Sequence, residues 1–203
     1  MKISDYDKIL KKVKSTLLHY FKKYYGDKYD FTGENILIIS AYEKAIRLLM
    51  NKEKKLIENN NRIVILDVEK DFKVNLKKEV FLKGKIDRID KFNGRVRIVD
   101  YKTGYMDPKN LICTSDFEYF KGDYKYNNQF QLLLYLLALK IEGESVENFQ
   151  AGVISLKSPL KGIIPLKNKG ENSLDFKILD QVQYFLKLVI AEIFDKKKSF
   201  VSL

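Results

Sequence analysis

The dipeptide Asn93-Gly94 narrows the possible folds most, because it separates two segments that have the composition of β-strands. A type I′ turn requires positive φ at both central residues, and an Asn-Gly pair between such segments is the strongest short-range hairpin signal. We therefore predict a hairpin in which a strand over 79–91 turns back into a strand over 95–103. The turn also determines which residues face each other along the two strands.

This register brings two like charges together. Asp90 faces Arg97, which is favourable, but Asp87 then faces Asp100 with a Cβ separation of about 5 Å, and such a pair destabilises a sheet. Two carboxylates this close either raise a pKa or share a cation. Because Mg²⁺ binds one or two carboxylates together with water and phosphate oxygens, the pair suggests a metal site. Lys102, on the same face as Asp100, would lie beside the ion and could act on water or on phosphate charge.

Two simpler interpretations of the aspartate pair stay open. The carboxylates can lie on a solvated face where the repulsion is tolerated. A one-residue bulge in either strand would also change the register and separate them. In each case Tyr101 points to the opposite face of its strand from Asp100 and Lys102.

Helical and alternating hydrophobic patterns predict the remaining elements. The predicted helices cover 5–25, 35–60, 126–141 and 174–195. Short β-like runs cover 62–69, 71–76, 149–156 and 162–166. Strands in the middle of the chain, with helices before and after them, predict a mixed α/β fold.

Composition limits the classes of function. The net charge of +11 over 203 residues favours a polyanionic partner such as nucleic acid or an acidic membrane surface. Lysine-rich proteins that bind nothing acidic also reach this charge. Cys113 is the single cysteine, which excludes an internal disulfide and a four-cysteine metal site within the chain. With no stretch of ~20 apolar residues and no signal-peptide pattern, we predict a cytoplasmic protein without a membrane partner.

Three motifs in order resemble a known family. "GKIDRID" (84–90), "IVDYKTG" (98–104) and "QLLLY" (131–135) are similar to the nuclease domain of RecB and AddB, within the PD-(D/E)XK superfamily. The resemblance implies a restriction-endonuclease-like core, with a central mixed sheet flanked by helices. It also implies hydrolysis of DNA phosphodiester bonds with Mg²⁺ or Mn²⁺, as an exonuclease in recombination or repair.

The resemblance assigns roles to residues of the hairpin. Asp87 and Asp100 would be metal ligands, with the Tyr101 carbonyl as a third. Lys102 would position or activate the attacking water and stabilise the transition state. These assignments agree with the site that the strand register suggests independently.

Gln131 and Tyr135 lie at i and i+4, on one face of the predicted helix. In the family these positions border the active site and contact the DNA end. A glutamine within the apolar run "FQLLLYLLAL" is costly unless its amide has a partner. The alternative to a site role is that Gln131 caps a neighbouring backbone group.

Glu69 and His19 are further metal-site candidates from the resemblance. Glu69 precedes the G-x-x-D motif, as a glutamate often does in the family, but "EKD" also suits a charged turn. His19, the only histidine, stands in "STLLH" where the family often has G-T-L-L-H, so Ser15 replaces the glycine. A lone helical histidine is usually structural or exposed. If the true counterpart lies upstream, the chain is a fragment of a longer nuclease.

The segment 105–125 mixes aromatic residues with lysines. Four rings could stack on unpaired bases, with Lys121 and Lys125 at phosphates; the rings are those of Tyr119, Phe120, Tyr124 and Tyr126. The alternative is an ordinary loop with its aromatic residues folded beneath it.

We expect residues 1–61 to form an N-terminal helical part and 62–203 the nuclease core. An iron–sulfur cluster of the kind some relatives carry is excluded within this chain. The chain has no P-loop motif, so a helicase or other recombination or repair partner would be a separate domain or subunit. Two other functions stay open: a catalytically silent DNA-binding or scaffolding domain with the same fold, and a metal-binding α/β domain unrelated to nucleic acid.

Overall fold

A computed structural model describes residues 1–26, 33–114 and 117–197, with the side chains of Glu118 and Lys121 excepted. Its helices are α1 (Ile3–Tyr25), α2 (Glu34–Glu58), α3 (Asn127–Ile141) and α4 (Ile178–Ile193). Its strands are β1 (Ile63–Lys77), β2 (Val80–Phe92), β3 (Arg95–Lys102), β4 (Ile112–Cys113), β5 (Gln150–Ser155), β6 (Ile164–Pro165) and β7 (Lys167–Asn168). In the described ranges, no helix combines the length and apolar character needed to cross a membrane.

The central sheet is mixed, as expected. Its strand order is β1-β2-β3-β5-β6, and β3 pairs with β5 in parallel while the other neighbours are antiparallel. Helix α3 lies in the connection between the parallel strands, as a crossover requires. The short strands β4 and β7 form a separate parallel pair. This architecture confirms the restriction-endonuclease-like α/β fold.

Alternation along β3 divides its side chains between two helical layers. Ile98 joins the large core that α3 and α4 cover. Val99 faces the other way and packs with Ile154 of β5 and Leu49 of α2. Because successive strand residues point to opposite faces, Asp100 shares the α3 side with Ile98, and Tyr101 shares the α2 side with Val99.

The predicted hairpin register is confirmed from the turn outward to Arg88, which pairs with Val99. Asn93 and Gly94 have φ values of 50° and 88°, as a type I′ turn requires. The backbone ladder ends at that pair, one position before the predicted facing of Asp87 and Asp100. The carboxylate of Asp87 instead accepts the Tyr101 backbone N–H at 2.8 Å, taking the place of a ladder bond.

Tertiary context changes several element boundaries. The two β-like runs at 62–69 and 71–76 form the single strand β1, because β2 pairs with it along almost its whole length, with register shifts between 65 and 67 and between 75 and 77. The run at 162–166 is a strand of only two residues, and Pro165 within it has no N–H to donate. The last helix begins at Ile178 rather than 174, after a turn in which the Asp175 side chain accepts the Lys177 N–H.

A buried ionic cluster on the α2 side of the sheet joins the N-terminal helices to the hairpin. It comprises Glu53, Arg88, Asp90 and Arg97. Arg88 donates to Glu53 at 2.9 Å, and the Tyr6 hydroxyl of α1 donates to the second oxygen of Glu53 at 3.0 Å. Burial and the Glu53 carboxylate raise the pKa of the Tyr6 phenol, so it stays a hydrogen-bond donor.

Asp90 holds the other half of this cluster together. Its carboxylate accepts two hydrogen bonds from Arg97, at 2.7 and 2.9 Å, and forms an ion pair with Arg88. The two acidic and two basic residues of the cluster balance in charge, which is how buried charges are tolerated. Arg88 also donates to the Tyr101 hydroxyl at 2.9 Å, so the cluster reaches the residue between Asp100 and Lys102.

Candidate active site

The last residues of β3 carry two of the predicted site residues on the α3 side of the sheet. Asp100 is buried, with 2% of its surface exposed, and lies beside the half-buried Lys102, whose ammonium is 2.9 Å from Asp100 Oδ2. Burial raises the pKa of the Asp100 carboxyl; the Lys102 charge opposes this rise and the Asp87 charge adds to it. A buried carboxylate therefore lies under the influence of one cation and one further anion.

Helix α3 closes these two residues into a ring of polar contacts. Lys102 Nζ donates to Gln131 Oε1 at 2.7 Å, and Gln131 Nε2 donates to the Tyr135 hydroxyl at 2.7 Å. The Tyr135 hydroxyl then points back to Asp100 Oδ1, 3.5 Å away. We call these four residues the polar ring. Each member orients the next, so the ammonium and the carboxylate are both held from the side of the helix.

The two α3 residues meet in this way because they are four positions apart, on one face of the helix. Gln131 uses both ends of its amide on side chains, Lys102 and Tyr135, and not as the backbone cap that was the alternative. Burial and the charges of Asp100 and Asp87 raise the pKa of the Tyr135 phenol, so its hydroxyl stays protonated. The Tyr135 ring packs in a T-shaped contact with the Phe72 ring of β1, with ring centroids 5.9 Å apart.

Asp87 approaches the polar ring from β2. Its carboxylate oxygen is held by the Tyr101 amide, and its charge acts on both Asp100 and Tyr135. Asp100 Oδ2 is buried, and its partner among the described residues is the Lys102 ammonium. A buried carboxylate beside a second carboxylate fits a hard divalent cation, which takes its other ligands from water and substrate.

Glu69 and His19 are the two remaining candidate ligands, and they lie on different elements. Glu69 has a φ of 54° and is exposed, and its carboxylate lies 3.5 Å from the Lys85 ammonium. On β1 it stands between the pairs Val68–Arg88 and Lys70–Ile86, and therefore next to Asp87 of β2. His19 is exposed on α1, with its ring edge against Tyr20. Nowhere in the described part of the chain do three or more His, Cys, Asp or Glu side chains form a group that could hold a metal. The roles of Glu69 and His19 as metal ligands stay predictions.

The aromatic segment after β3 divides into packed and exposed residues. The Tyr119 hydroxyl donates to Gln129 at 2.7 Å, and the Phe120 ring packs on Phe130 with centroids 4.7 Å apart. Tyr126 lies against Tyr119 at 4.4 Å. Tyr124 is 81% exposed, so its ring is the one in this group with a free face.

Lys125 of the same segment already has partners within the chain. Lys125 forms an ion pair with Asp123 at 2.5 Å and lies over the Tyr126 ring. The side chain of Lys121 lies outside the described part of the structure. A phosphate contact by Lys125 would therefore compete with its bond to Asp123.

The sequence pattern did not reveal Arg88 and Glu53, which support the site from the α2 side of the sheet. Arg88 is the fifth residue of "GKIDRID", and its guanidinium contacts Glu53 and the Tyr101 hydroxyl on the face of the sheet opposite the polar ring. One signal in the sequence could have indicated this contact. Alternation along β2 places Arg88 on the opposite face from Asp87, and an arginine that faces a helical layer needs an acidic partner. Which acidic residue supplies it depends on the packing of α2.

The family model of the PD-(D/E)XK nuclease superfamily matches residues 17–200. The chain belongs to this superfamily. Its Asp100-Tyr101-Lys102 has the spacing of the (D/E)XK part of the superfamily's name. A search of curated proteins finds no significant match. In this PD-(D/E)XK chain, Asp87, Asp100 and Lys102 lie at the end of the hairpin away from its turn.

Proposed function

We propose that this chain is a metal-dependent DNA nuclease of the RecB/AddB type, acting as an exonuclease in DNA recombination or repair. The observation that carries the proposal is the polar ring, in which the Lys102 ammonium is held 2.9 Å from the buried carboxylate of Asp100, beside the charge of Asp87. Membership of a superfamily of nucleases supports the reaction class. The three motifs between Gly84 and Tyr135 support the subtype.

Asp87 and Asp100 would hold Mg²⁺ or Mn²⁺, with the Tyr101 carbonyl as a third ligand. When bound, such an ion supplies positive charge for a water nucleophile and for the phosphate under attack. The Tyr101 amide orients Asp87, and the Tyr135 hydroxyl orients Asp100. The chain itself therefore contributes an arrangement of ligands that needs little movement before catalysis.

Lys102 would stabilise the negative charge that develops on the phosphate, or position the attacking water. The ammonium has three N–H donors; Gln131 at 2.7 Å and Asp100 at 2.9 Å account for two of them, which leaves one for substrate. Fixed donors aimed at developing charge are a large contribution to many enzymatic rate enhancements.

The net charge of +11 supports a DNA partner, since phosphate contacts by lysine and arginine supply most non-specific affinity. A helicase or another recombination or repair subunit is the partner that the RecB/AddB resemblance suggests. A cytoplasmic location is consistent with these roles.

The decisive experiment incubates the protein with linear and circular DNA, each with Mg²⁺, with Mn²⁺ and with EDTA. We expect metal-dependent degradation of linear DNA, with circular DNA left intact. Lys102→Ala should lower the rate at least about 100-fold, the lower end of the effect of removing one charge-stabilising donor. The matched control is Lys73→Ala, an exposed lysine on β1 that lies over the Phe81 ring.

The control removes the same charge and should keep the rate within about twofold. Equal loss in both lysine variants would mean that charge alone matters and would contradict the assigned role of Lys102. DNA binding without cleavage under any metal would favour the silent binding domain. Cleavage of circular DNA would replace the exonuclease proposal by an endonuclease.

A further inference from the structure

An exposed aromatic residue stands immediately beyond the catalytic strand. Tyr105 is 62% exposed, three residues after Lys102. Three residues of extended chain span at most about 11 Å, roughly the length of three stacked nucleotides of one strand. The Tyr105 ring is therefore within reach of a nucleic-acid chain whose phosphate lies at Lys102.

Both neighbours of Tyr105 are anchored, so its exposure is not that of a loose loop. The Gly104 carbonyl accepts a hydrogen bond from the Ser155 hydroxyl of β5 at 2.7 Å. Met106 is 4% exposed and belongs to the main hydrophobic core. The backbone on both sides of Tyr105 is thus anchored, and an anchored segment loses less conformational entropy on binding than a loose loop.

A cation lies next to this ring. The ammonium of Lys161 is 5.6 Å from the Tyr105 ring centroid. Lys161 belongs to the turn that follows β5, and Tyr105 follows β3. Because β3 and β5 are parallel, the segments after them emerge at the same edge of the sheet, where ligands of open α/β sheets bind.

We infer that Tyr105 and Lys161 form a binding subsite for an unpaired nucleobase and its phosphate, beside the proposed nuclease centre. The inference rests on the proposed function. An aromatic face binds any base by stacking, and a neighbouring lysine contacts the backbone, which together make a platform for unpaired strands. A paired base inside a duplex would not reach the ring, so the subsite acts on a single strand or on a frayed end.

The test measures binding in EDTA, where cleavage does not interfere. The probes are a 2-aminopurine-labelled single-stranded oligonucleotide and a dumbbell duplex that has no free ends. Tyr105→Ala should weaken binding of the single strand by about 5- to 150-fold and reduce the stacking-dependent quenching of 2-aminopurine. Tyr105→Phe, which keeps the ring, should bind like the wild type. Tyr24→Ala, which removes an exposed tyrosine of α1, is the matched control and should also bind like the wild type.

Lys161→Ala should lower the single-strand affinity and make the dependence of log affinity on log salt shallower by about one. Wild-type affinity in Tyr105→Ala would overturn the inference, as would an equal loss on the dumbbell. Thermal unfolding of each variant identifies a folding defect, and weak binding by Tyr105→Phe, if it is folded, would also overturn the inference.

Metal-dependent cleavage is measured in parallel to separate the two proposals. Cleavage by the wild type together with unchanged binding in Tyr105→Ala refutes the subsite alone. Binding that depends on Tyr105, without cleavage under any metal, supports the subsite and refutes the nuclease. Neither binding nor cleavage by the wild type refutes both.

Discussion

Removal of Glu53 tests whether the buried ionic cluster holds the N-terminal helices on the sheet. Glu53→Ala leaves Arg88 buried with one carboxylate partner fewer and leaves the Tyr6 hydroxyl without its acceptor. Removing one partner of a buried ion pair costs ~3–5 kcal/mol, because the remaining charge stays desolvated. Asp90 still compensates Arg88 in part, so we expect a decrease of about 3 kcal/mol in the free energy of unfolding.

This loss is large for a protein whose total stability lies in the usual range of ~5–15 kcal/mol. It should appear in urea unfolding followed by far-UV circular dichroism. With an m-value of about 3 kcal/mol per M, the midpoint should fall by about 1 M. Tyr6→Phe removes only the hydrogen bond to the carboxylate and should cost less, about 1.5 kcal/mol, the lower end for a hydrogen bond to a charged group.

Glu43→Ala is the matched control. Glu43 pairs with Arg47 across one turn of the same helix α2, on a surface-accessible face. Such pairs contribute about 0.5 kcal/mol or less, so the midpoint should hardly change. If Glu53→Ala and Glu43→Ala lower the midpoint equally, the cluster does not stabilise the attachment of α2 as we argue.

Two substitutions and one labelling experiment probe the packing of the site and of the core. Gly84→Ala would place a Cβ 2.7 Å from the Phe72 ring, which packs against Tyr135, so we expect a loss of ~1–3 kcal/mol in unfolding free energy. In the control Gly122→Ala the added Cβ meets no atom within 4 Å, so this variant should be nearly neutral. Equal melting temperatures of the two variants would contradict the expected clash at Gly84. Tyr135→Phe keeps the aromatic ring but removes its hydroxyl from the polar ring. We expect kcat for DNA cleavage to fall about tenfold, equivalent to about 1.4 kcal/mol of activation free energy, and the free energy of unfolding to fall by only about 1 kcal/mol through loss of the Gln131 hydrogen bond. Full activity would exclude a positioning role for the hydroxyl. Burial raises the pKa of the Cys113 thiol to about 12, so its thiolate fraction at pH 8 is ~10⁻⁴. Native protein should therefore resist DTNB, whereas urea-unfolded protein should react within minutes. Fast labelling of the native protein would show that the thiol is accessible.

The hairpin illustrates how much local chemistry determines. The conformations of Asn93 and Gly94 set the turn, and the turn sets the register up to Arg88 and Val99. Alternation then separates the residues of β3 between two faces. For this reason the sequence alone located Asp100 and Lys102 on one side of a strand, and the fold class followed from the order of the predicted elements.

The contacts that complete the site depend on distant parts of the chain. Lys102 meets Gln131 only because α3 crosses the sheet between β3 and β5, and 29 positions separate the two residues. Arg88 meets Glu53 only because α2 covers the opposite face. Loop aromatic residues such as Phe120 pack inward for the same kind of reason, since the neighbouring helices offer apolar surface.

The sequence by itself therefore determined the turn, the strand register and the chemical types at the site, because these depend on residues within a few positions of each other. Tertiary structure decided which side chains are buried, which charges are compensated and which rings stay exposed. Those properties depend on how helices and strands pack, and packing joins residues that no local pattern relates. Tyr105 and Phe120 show the difference. Both are aromatic residues after β3, but the Phe120 ring packs against the core, whereas the Tyr105 ring is exposed to solvent.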